Sequence, residues 1–117
     1  PTPQSTADGI ELDLARQLLF VLDAGEVRWV LNTSTGTSRT PTPRGSYSVV
    51  RQIDGVRRAP LGDLYRPKYF HGGVAVHGSP LIPGYPASHG CARLSNPAMD
   101  LLWDSGLVEL GTSVRVL

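Results

Sequence analysis

Apolar and polar residues alternate over Ile10-Glu11-Leu12-Asp13-Leu14, which is the two-residue period of a half-buried strand. Leu18 to Leu22 is a continuous apolar run, short enough for a core strand. Val27-Arg28-Trp29-Val30-Leu31 resumes after the turn Asp23-Ala24-Gly25-Glu26, so the two runs read as a hairpin. Ser46 to Ile53 reads as one further strand, ended by the turn pair Asp54-Gly55. Val74-Ala75-Val76 is a short apolar run that ends at His77 and is entered through Gly72-Gly73. Val108 to Leu117 returns to strand, with Val114 and Val116 on one side. One helix is predicted from Asn96 to Gly106. Asn96 is placed to cap it, Pro97 suits its first position, Asp100 in the first turn favours the dipole, and Gly106 suits the stop. Leu101, Leu102 and Trp103 supply its apolar face.

The segments between are polar or rigid. Thr33 to Ser38 is a polar loop, and Thr40-Pro41-Thr42-Pro43-Arg44-Gly45 is a stiff turn, because each proline fixes its own φ and extends the residue before it. Val56 to His71 contains Pro60, Gly62 and Pro67, which excludes a long helix. Its aromatic residues Tyr65, Tyr69 and Phe70 are expected to cap the core in part, with Tyr69 or Phe70 walling a substrate cleft ahead of the strand that ends at His77. Repeated βαβ spacing is absent, which argues against a doubly wound fold. The expected architecture is mainly β: a curved or barrel-like mixed sheet with one short α-helix. Residues 1–9, rich in Pro, Thr and Ser, read as a mobile linker, and residues 10–117 as one domain.

Composition narrows the function. The chain of 117 residues is 40% hydrophobic with a formal charge of +1, too small a charge to imply nucleic-acid binding by field alone. Its basic residues are scattered and almost all Arg, Lys68 being the one lysine. Apolar runs stay well short of the ~20 residues that span a bilayer. The opening Pro1-Thr2-Pro3-Gln4 is linker-like and holds no signal peptide, so an export signal is expected upstream. A single cysteine permits no intramolecular disulfide and, in an exported protein, marks a reactive thiol.

That cysteine lies in Ser88-His89-Gly90-Cys91-Ala92-Arg93. A lone cysteine in a small domain is usually a buried hydrophobe. Here, however, the preceding Ser79-Pro80-Leu81-Ile82-Pro83-Gly84-Tyr85-Pro86 is a surface loop by composition, and Ser-His-Gly is a poor core segment. Both point to an accessible thiol. An imidazole that takes its proton leaves a thiolate able to attack a carbonyl. His77 and His89 compete for that role: His89 is two residues from the sulfur, while His77 ends a separate strand that can be set opposite it. Gly90 lets a substrate approach the backbone, and the amides of Gly90 and Cys91 are placed to face an oxyanion. Arg93 shares the cysteine's face on an extended chain and offers five donors to a carboxylate or carbonyl. His71 reads as structural or rim-exposed. Cys91, His89 and His77 are also potential zinc ligands, but there is no second cysteine and no ligand pair at zinc-finger spacing, so neither a metal nor another cofactor is expected.

His77-Gly78 followed by Ser88-His89-Gly90-Cys91-Ala92-Arg93-Leu94-Ser95-Asn96 resembles the signature of the L,D-transpeptidase catalytic domain (YkuD-like) family. Gly36, Thr42-Pro43-Arg44-Gly45 and Tyr47 match a second, distant part of its pattern, and the resemblance runs from about Ile10 to Leu117. The spacer Gly78 to Ala87 is shorter than the family's usual loop. The resemblance implies Cys91 as nucleophile and His77 as base, with its ring oriented here by the Gly78 carbonyl. It implies Ser88, His89, Gly90 and Arg93 around the oxyanion and substrate. The implied substrate is the peptidoglycan stem peptide. The thiolate attacks the carbonyl of the L-centre of diaminopimelate, expels D-alanine and leaves a thioester, which an amine of a second stem takes up to form a 3→3 cross-link. Water as acceptor would make an L,D-carboxypeptidase, and a lipoprotein lysine is another acceptor. A silent wall-binding module is the alternative outside catalysis. The resemblance also implies acylation by carbapenems and a place in the periplasm or cell wall of a bacterium.

Overall fold

The computed structural model describes residues 1–60 and 62–117. Among the described residues it is mainly β, with mixed sheets and one short helix. The strands are β1 (Gly9–Asp13), β2 (Leu18–Asp23), β3 (Glu26–Asn32), β4 (Gly45–Ser48), β5 (Arg51–Gln52), β6 (Val56–Arg57), β7 (Leu64–His71), β8 (Val74–Gly78), β9 (Ala92–Leu94) and β10 (Ser113–Val116), with helix α1 (Asn96–Asp104) between the last two. They form two sheets. The first runs β3-β2-β1-β10-β4; the second runs β5-β7-β8-β9, with β6 also on β7. The parallel pairs are β1 with β10 and β8 with β9.

Alternation decides which sides meet. Ile10, Leu12, Leu19, Val21, Val114 and Val116 of the first sheet face Phe70, Val76, Ala92 and Leu94 of the second, and Met99 and Leu102 of α1 join them in one core. The residues that alternate outward on β1 are nonetheless buried: Glu11 is 0% exposed and Asp13 3%. The cover is the N-terminal segment. Glu11 accepts hydrogen bonds from the backbone N–H groups of Gln4 and Ser5 at 2.7 and 3.1 Å, and Arg115 donates to the Ala7 and Asp8 carbonyls. Residues 1–8, expected to be mobile, are thus tied across the back of the first sheet.

The strand expected over Ser46 to Ile53 changes sheets midway. The Val49 N–H donates to Thr112 at the end of the first sheet, and the Val50 N–H donates to Tyr69 in the second. A single strand cannot feed two packed sheets without bending, and the bend falls between these valines. The strand expected over Val108 to Leu117 is confined to β10, since residues 109–112 form a turn closed by Thr112 N–H to the Glu109 carbonyl.

The helix starts one residue earlier than its expected cap. Ser95, extended at φ −62° and ψ 154°, caps it by accepting from the Ala98 N–H, and Asn96 is already helical. Asp100 lies beyond the first turn. It accepts instead from the Tyr65 hydroxyl at 2.6 Å and the Arg66 guanidinium at 2.8 Å, which bind the helix to β7. Arg66 holds φ +47° and its carbonyl accepts from the Trp103 indole at 2.8 Å, a third tie between the same elements. No helix among the described residues is long and apolar enough to cross a membrane. If Ser95 is the cap, Ser95→Ala should lower the unfolding free energy by about 1 kcal/mol in urea titration, with an unchanged m value.

Candidate active site

The site is assembled by the parallel pair β8 and β9, in which Val76 lies level with Ala92 and His77 with Arg93. Because alternate residues of a strand share a face, Cys91, just ahead of β9, sits on the side of Arg93 and His77. The sulfur accepts a hydrogen bond from the Ala75 N–H at 3.4 Å and lies 3.7 Å from the Gly73 carbonyl, to which the thiol donates.

The segment before the cysteine is held by hydroxyl groups from a distant stretch. Ser88 is 3% exposed; its hydroxyl accepts from the Gly90 N–H at 3.1 Å and donates to the Cys91 carbonyl. The Thr42 hydroxyl donates to the Gly90 carbonyl at 2.6 Å and accepts from the Gly36 N–H at 3.0 Å. Thr40 donates to the Ser88 carbonyl at 3.0 Å, and the Thr35 carbonyl accepts from the N–H groups of Ala87 and Ser88. Thr35 is held in turn by Gln17, whose amide oxygen accepts from the Thr35 N–H and whose amide nitrogen donates to the Thr35 hydroxyl. Gly90 at φ +130° allows the tight reversal that these bonds fix. Gly36 is required for a different reason, since a Cβ there would lie 2.0 Å from the Thr40 carbonyl oxygen. The buried Gln17, Ser34, Thr35 and Thr42 were not visible as site residues in the sequence. The one signal was the match of Gly36 and Thr42-Pro43-Arg44-Gly45 to a known pattern, which carried no role.

The thiol opens into a cleft of about 730 Å³ lined by His77, Ser88, His89, Cys91 and Arg93 on its floor. Gly73 and the segments Ala59–Pro60, Gly62–Leu64 and Ser79–Leu81 form its sides. Tyr69 and Phe70, expected as cleft walls, are not there. They are 2% and 3% exposed because β7 is covered on both faces; Phe70 packs on Tyr47 in the core, and Tyr69 lies under the Arg51 guanidinium at 4.0 Å. His71 is exposed and stacks on Tyr47. Among the described residues, no three His, Cys, Asp or Glu side chains gather in a metal-binding group.

His77 is 4% exposed, and its Nδ1 lies 2.8 Å from the Gly78 carbonyl oxygen. A carbonyl only accepts, so Nδ1 carries the hydrogen and Nε2 keeps its lone pair. Burial lowers the His77 pKa, with the nearby Arg93 charge acting the same way and the Gly78 bond opposing. Burial raises the Cys91 pKa, against the Ala75 N–H and Arg93, which favour the thiolate. Both shifts favour a neutral thiol and a neutral imidazole at rest. The expectation of a thiol pKa well below that of a free cysteine is not met, because desolvation outweighs the groups that favour the anion. Of the two amides expected at an oxyanion, that of Gly90 is taken by the Ser88 hydroxyl. Arg93 joins no ion pair among the described residues, its guanidinium reaching only the Ala87 carbonyl at 3.5 Å.

A thiol and a buried imidazole on adjacent parallel strands, opening into one cleft, define a site of the cysteine–histidine class. The chain belongs to the YkuD family, the L,D-transpeptidase catalytic domain, which it matches over residues 7–116. It is similar to an L,D-transpeptidase from Xylanimonas cellulosilytica DSM 15894, with 45% identity and a TM-score of 0.93 over 100% of this chain and 64% of that one. An L,D-transpeptidase from Mycobacterium smegmatis is 25% identical with a TM-score of 0.82, over 92% of this chain and 57% of that one. An L,D-transpeptidase solved in complex with imipenem shares the fold at 23% identity and a TM-score of 0.81, again over 92% and 57%. The chain thus spans less than two thirds of the length of each of these structures. No curated protein matches it significantly.

Two outcomes follow from the geometry. Thr42→Val keeps the shape but removes the hydroxyl that joins Gly36 to Gly90, leaving a buried N–H and a buried carbonyl unpaired. It should cost about 1–3 kcal/mol of stability by denaturant titration and slow alkylation of Cys91. In the parent protein, iodoacetamide labelling of Cys91 should rise with pH through a midpoint above the ordinary cysteine value of about 8.5. A resting ion pair would instead give a plateau near neutrality. The lowered His77 pKa adds a stability term present above the ordinary histidine value of about 6.5 and lost as pH falls through the lowered one, so Tm should drop over that range and drop less in His77→Gln.

Proposed function

We propose that Cys91 is the nucleophile of an L,D-transpeptidase that acts on peptidoglycan stem peptides, with His77 as its base. The observation that carries this reading is the sulfur held between the Ala75 N–H and the Gly73 carbonyl on the floor of an open cleft that also holds His77. Residues 10–117 form the catalytic domain, with the segment before them packed on its first sheet.

The neutral resting pair sets the order of events. Nε2 of His77 takes the thiol proton as the sulfur attacks the carbonyl of the L-centre of diaminopimelate. The developing oxyanion is met by the Cys91 N–H and by the exposed His89 ring, since the Gly90 N–H already serves Ser88. The tetrahedral intermediate collapses to a thioester. D-alanine leaves with the proton that His77 held, so the ring ends neutral. An amine of a second stem then attacks the thioester, gives its proton to His77 and forms the 3→3 link, and the thiol is restored. Arg93, with no carboxylate partner among the described residues, suits the terminal carboxylate of a tetrapeptide donor.

The substrate places the protein outside the cytoplasmic membrane, in the periplasm or wall. Carbapenems acylate the same sulfur; the imipenem-bound relative of the same fold supports this.

With a disaccharide-tetrapeptide, intact mass spectrometry should show dimers linked through diaminopimelate together with free D-alanine, and Cys91→Ala should lose activity by about three orders of magnitude or more. A carbapenem adduct should form on the parent and not on Cys91→Ala. Near-parental turnover by a folded Cys91→Ala protein overturns the mechanism. Tripeptide as the sole product at every acceptor concentration would make the protein an L,D-carboxypeptidase.

A further inference from the structure

Gly78 is caught between two side chains. A Cβ built on it would lie 2.6 Å from the Asn96 Oδ1 and 2.6 Å from Cδ2 of the Tyr65 ring. Neither neighbour is loose. Tyr65 lies opposite Gly78 in the β7–β8 pair, and its hydroxyl is anchored on Asp100 at 2.6 Å. Asn96 opens helix α1, where Ser95 already serves as cap, so its side chain is not needed for capping. Its Oδ1 is buried and accepts no hydrogen bond. A buried acceptor without a donor is costly and calls for a reason. The reason visible here is contact: the oxygen rests against the one residue whose carbonyl holds the His77 ring at 2.8 Å. The peptide after Gly78 is fixed on its far side as well, since the Ser79 N–H donates to the Leu94 carbonyl at 2.8 Å.

We infer that Asn96 and Tyr65 are positioning residues for the reaction. By gripping Gly78 from both sides they set the direction of its carbonyl, and that carbonyl keeps the proton of His77 on Nδ1. Glycine is the one residue that fits between them, and it is also the residue whose backbone is freest to turn away once a neighbour is removed. The grip is therefore required by the same feature that admits it. Because a histidine tautomer is set by the partner of its other nitrogen, loosening the Gly78 carbonyl lets the proton move to Nε2, the atom that must accept the thiol proton. The inference rests on His77 acting as base, but the tautomer itself can be read without that assumption.

The test compares Asn96→Ala, Asn96→Ser, Trp103→Phe and the parent. ¹⁵N chemical shifts of the imidazoles, assigned with His77→Gln, should report one Nδ1–H tautomer at His77 in the parent and a mixture in Asn96→Ala. With tetrapeptide donor, Asn96→Ala should lower kcat about tenfold while KM changes little, the scale typical for a partner one step removed from a functional histidine. Trp103→Phe loses the bond that ties the helix to the Arg66 carbonyl and leaves Asn96, Tyr65 and Gly78 as they are, so it should keep the parental tautomer and kcat even if its Tm falls. Asn96→Ser, which shortens the side chain but keeps a polar group, should fall between Asn96→Ala and the parent, and serves if Asn96→Ala does not fold. A single parental tautomer and parental kcat in Asn96→Ala or Asn96→Ser overturn the inference. A change in Trp103→Phe equal to that in Asn96→Ala also overturns it, since the effect would then come from helix anchoring. Unaltered turnover in His77→Gln would instead remove His77 as base and leave the tautomer result standing.

Discussion

The parallel pairing of β8 with β9 is the constraint from which the site follows. Two strands that run the same way cannot be joined by a tight turn and need a crossover of about a dozen residues. Here the crossover is the stretch from Ser79 to Cys91, and it carries the cysteine on its last residue. The register then brings His77 beside Arg93 and sets Cys91 next to Ala75, so thiol and imidazole are placed by backbone hydrogen bonds before any side chain is chosen. The crossover is close to the minimum such a pairing needs, which gives the shortness of the spacer a structural meaning.

What the pairing does not fix is the shape of the crossover itself, because that stretch has no helix to stiffen it. The shape comes from outside. Thr35, Thr40 and Thr42 reach it from the loop after β3, and Gln17 braces Thr35 from the turn between β1 and β2. The first sheet contributes no residue to the cleft, yet it supports the loop that does. Phe20 and Glu11, buried on its far side under residues 1–8, belong to the same chain of support at one further remove.

Much of this was legible in the sequence. Alternation over residues 10–14 and the apolar run at 18–22 located β1 and β2, and the Ser-His-Gly-Cys block located the thiol, because such patterns are local. Four features were not legible. The sheet change at Val49 and Val50 depends on which strands lie on either side, and a run of strand-forming residues reads the same whether it bends or not. Tyr69 and Phe70 looked suited to a cleft, but burial of both faces of β7 is a property of the assembled sheets. The thiol pKa was misjudged in direction, since a nearby imidazole can be read from a motif whereas the desolvation that opposes it cannot. Ser95 in place of Asn96 as the helix cap is a shift of one residue between two good cap formers.

The scaffold around the cysteine loop has a further property. Its bonds join hydroxyls, amides and carbonyls of Gln17, Thr35, Thr40, Thr42, Ser88 and Gly90, and none of these groups carries a charge. Mobile ions screen charges separated by more than about 8 Å at physiological ionic strength, and have little hold on short neutral bonds buried in protein. The loop geometry is therefore indifferent to the counterion content of its surroundings. Salt acts instead on the charged groups that line the cleft, Arg93 and Asp63, and so on the field around it rather than on the bonds that shape the loop.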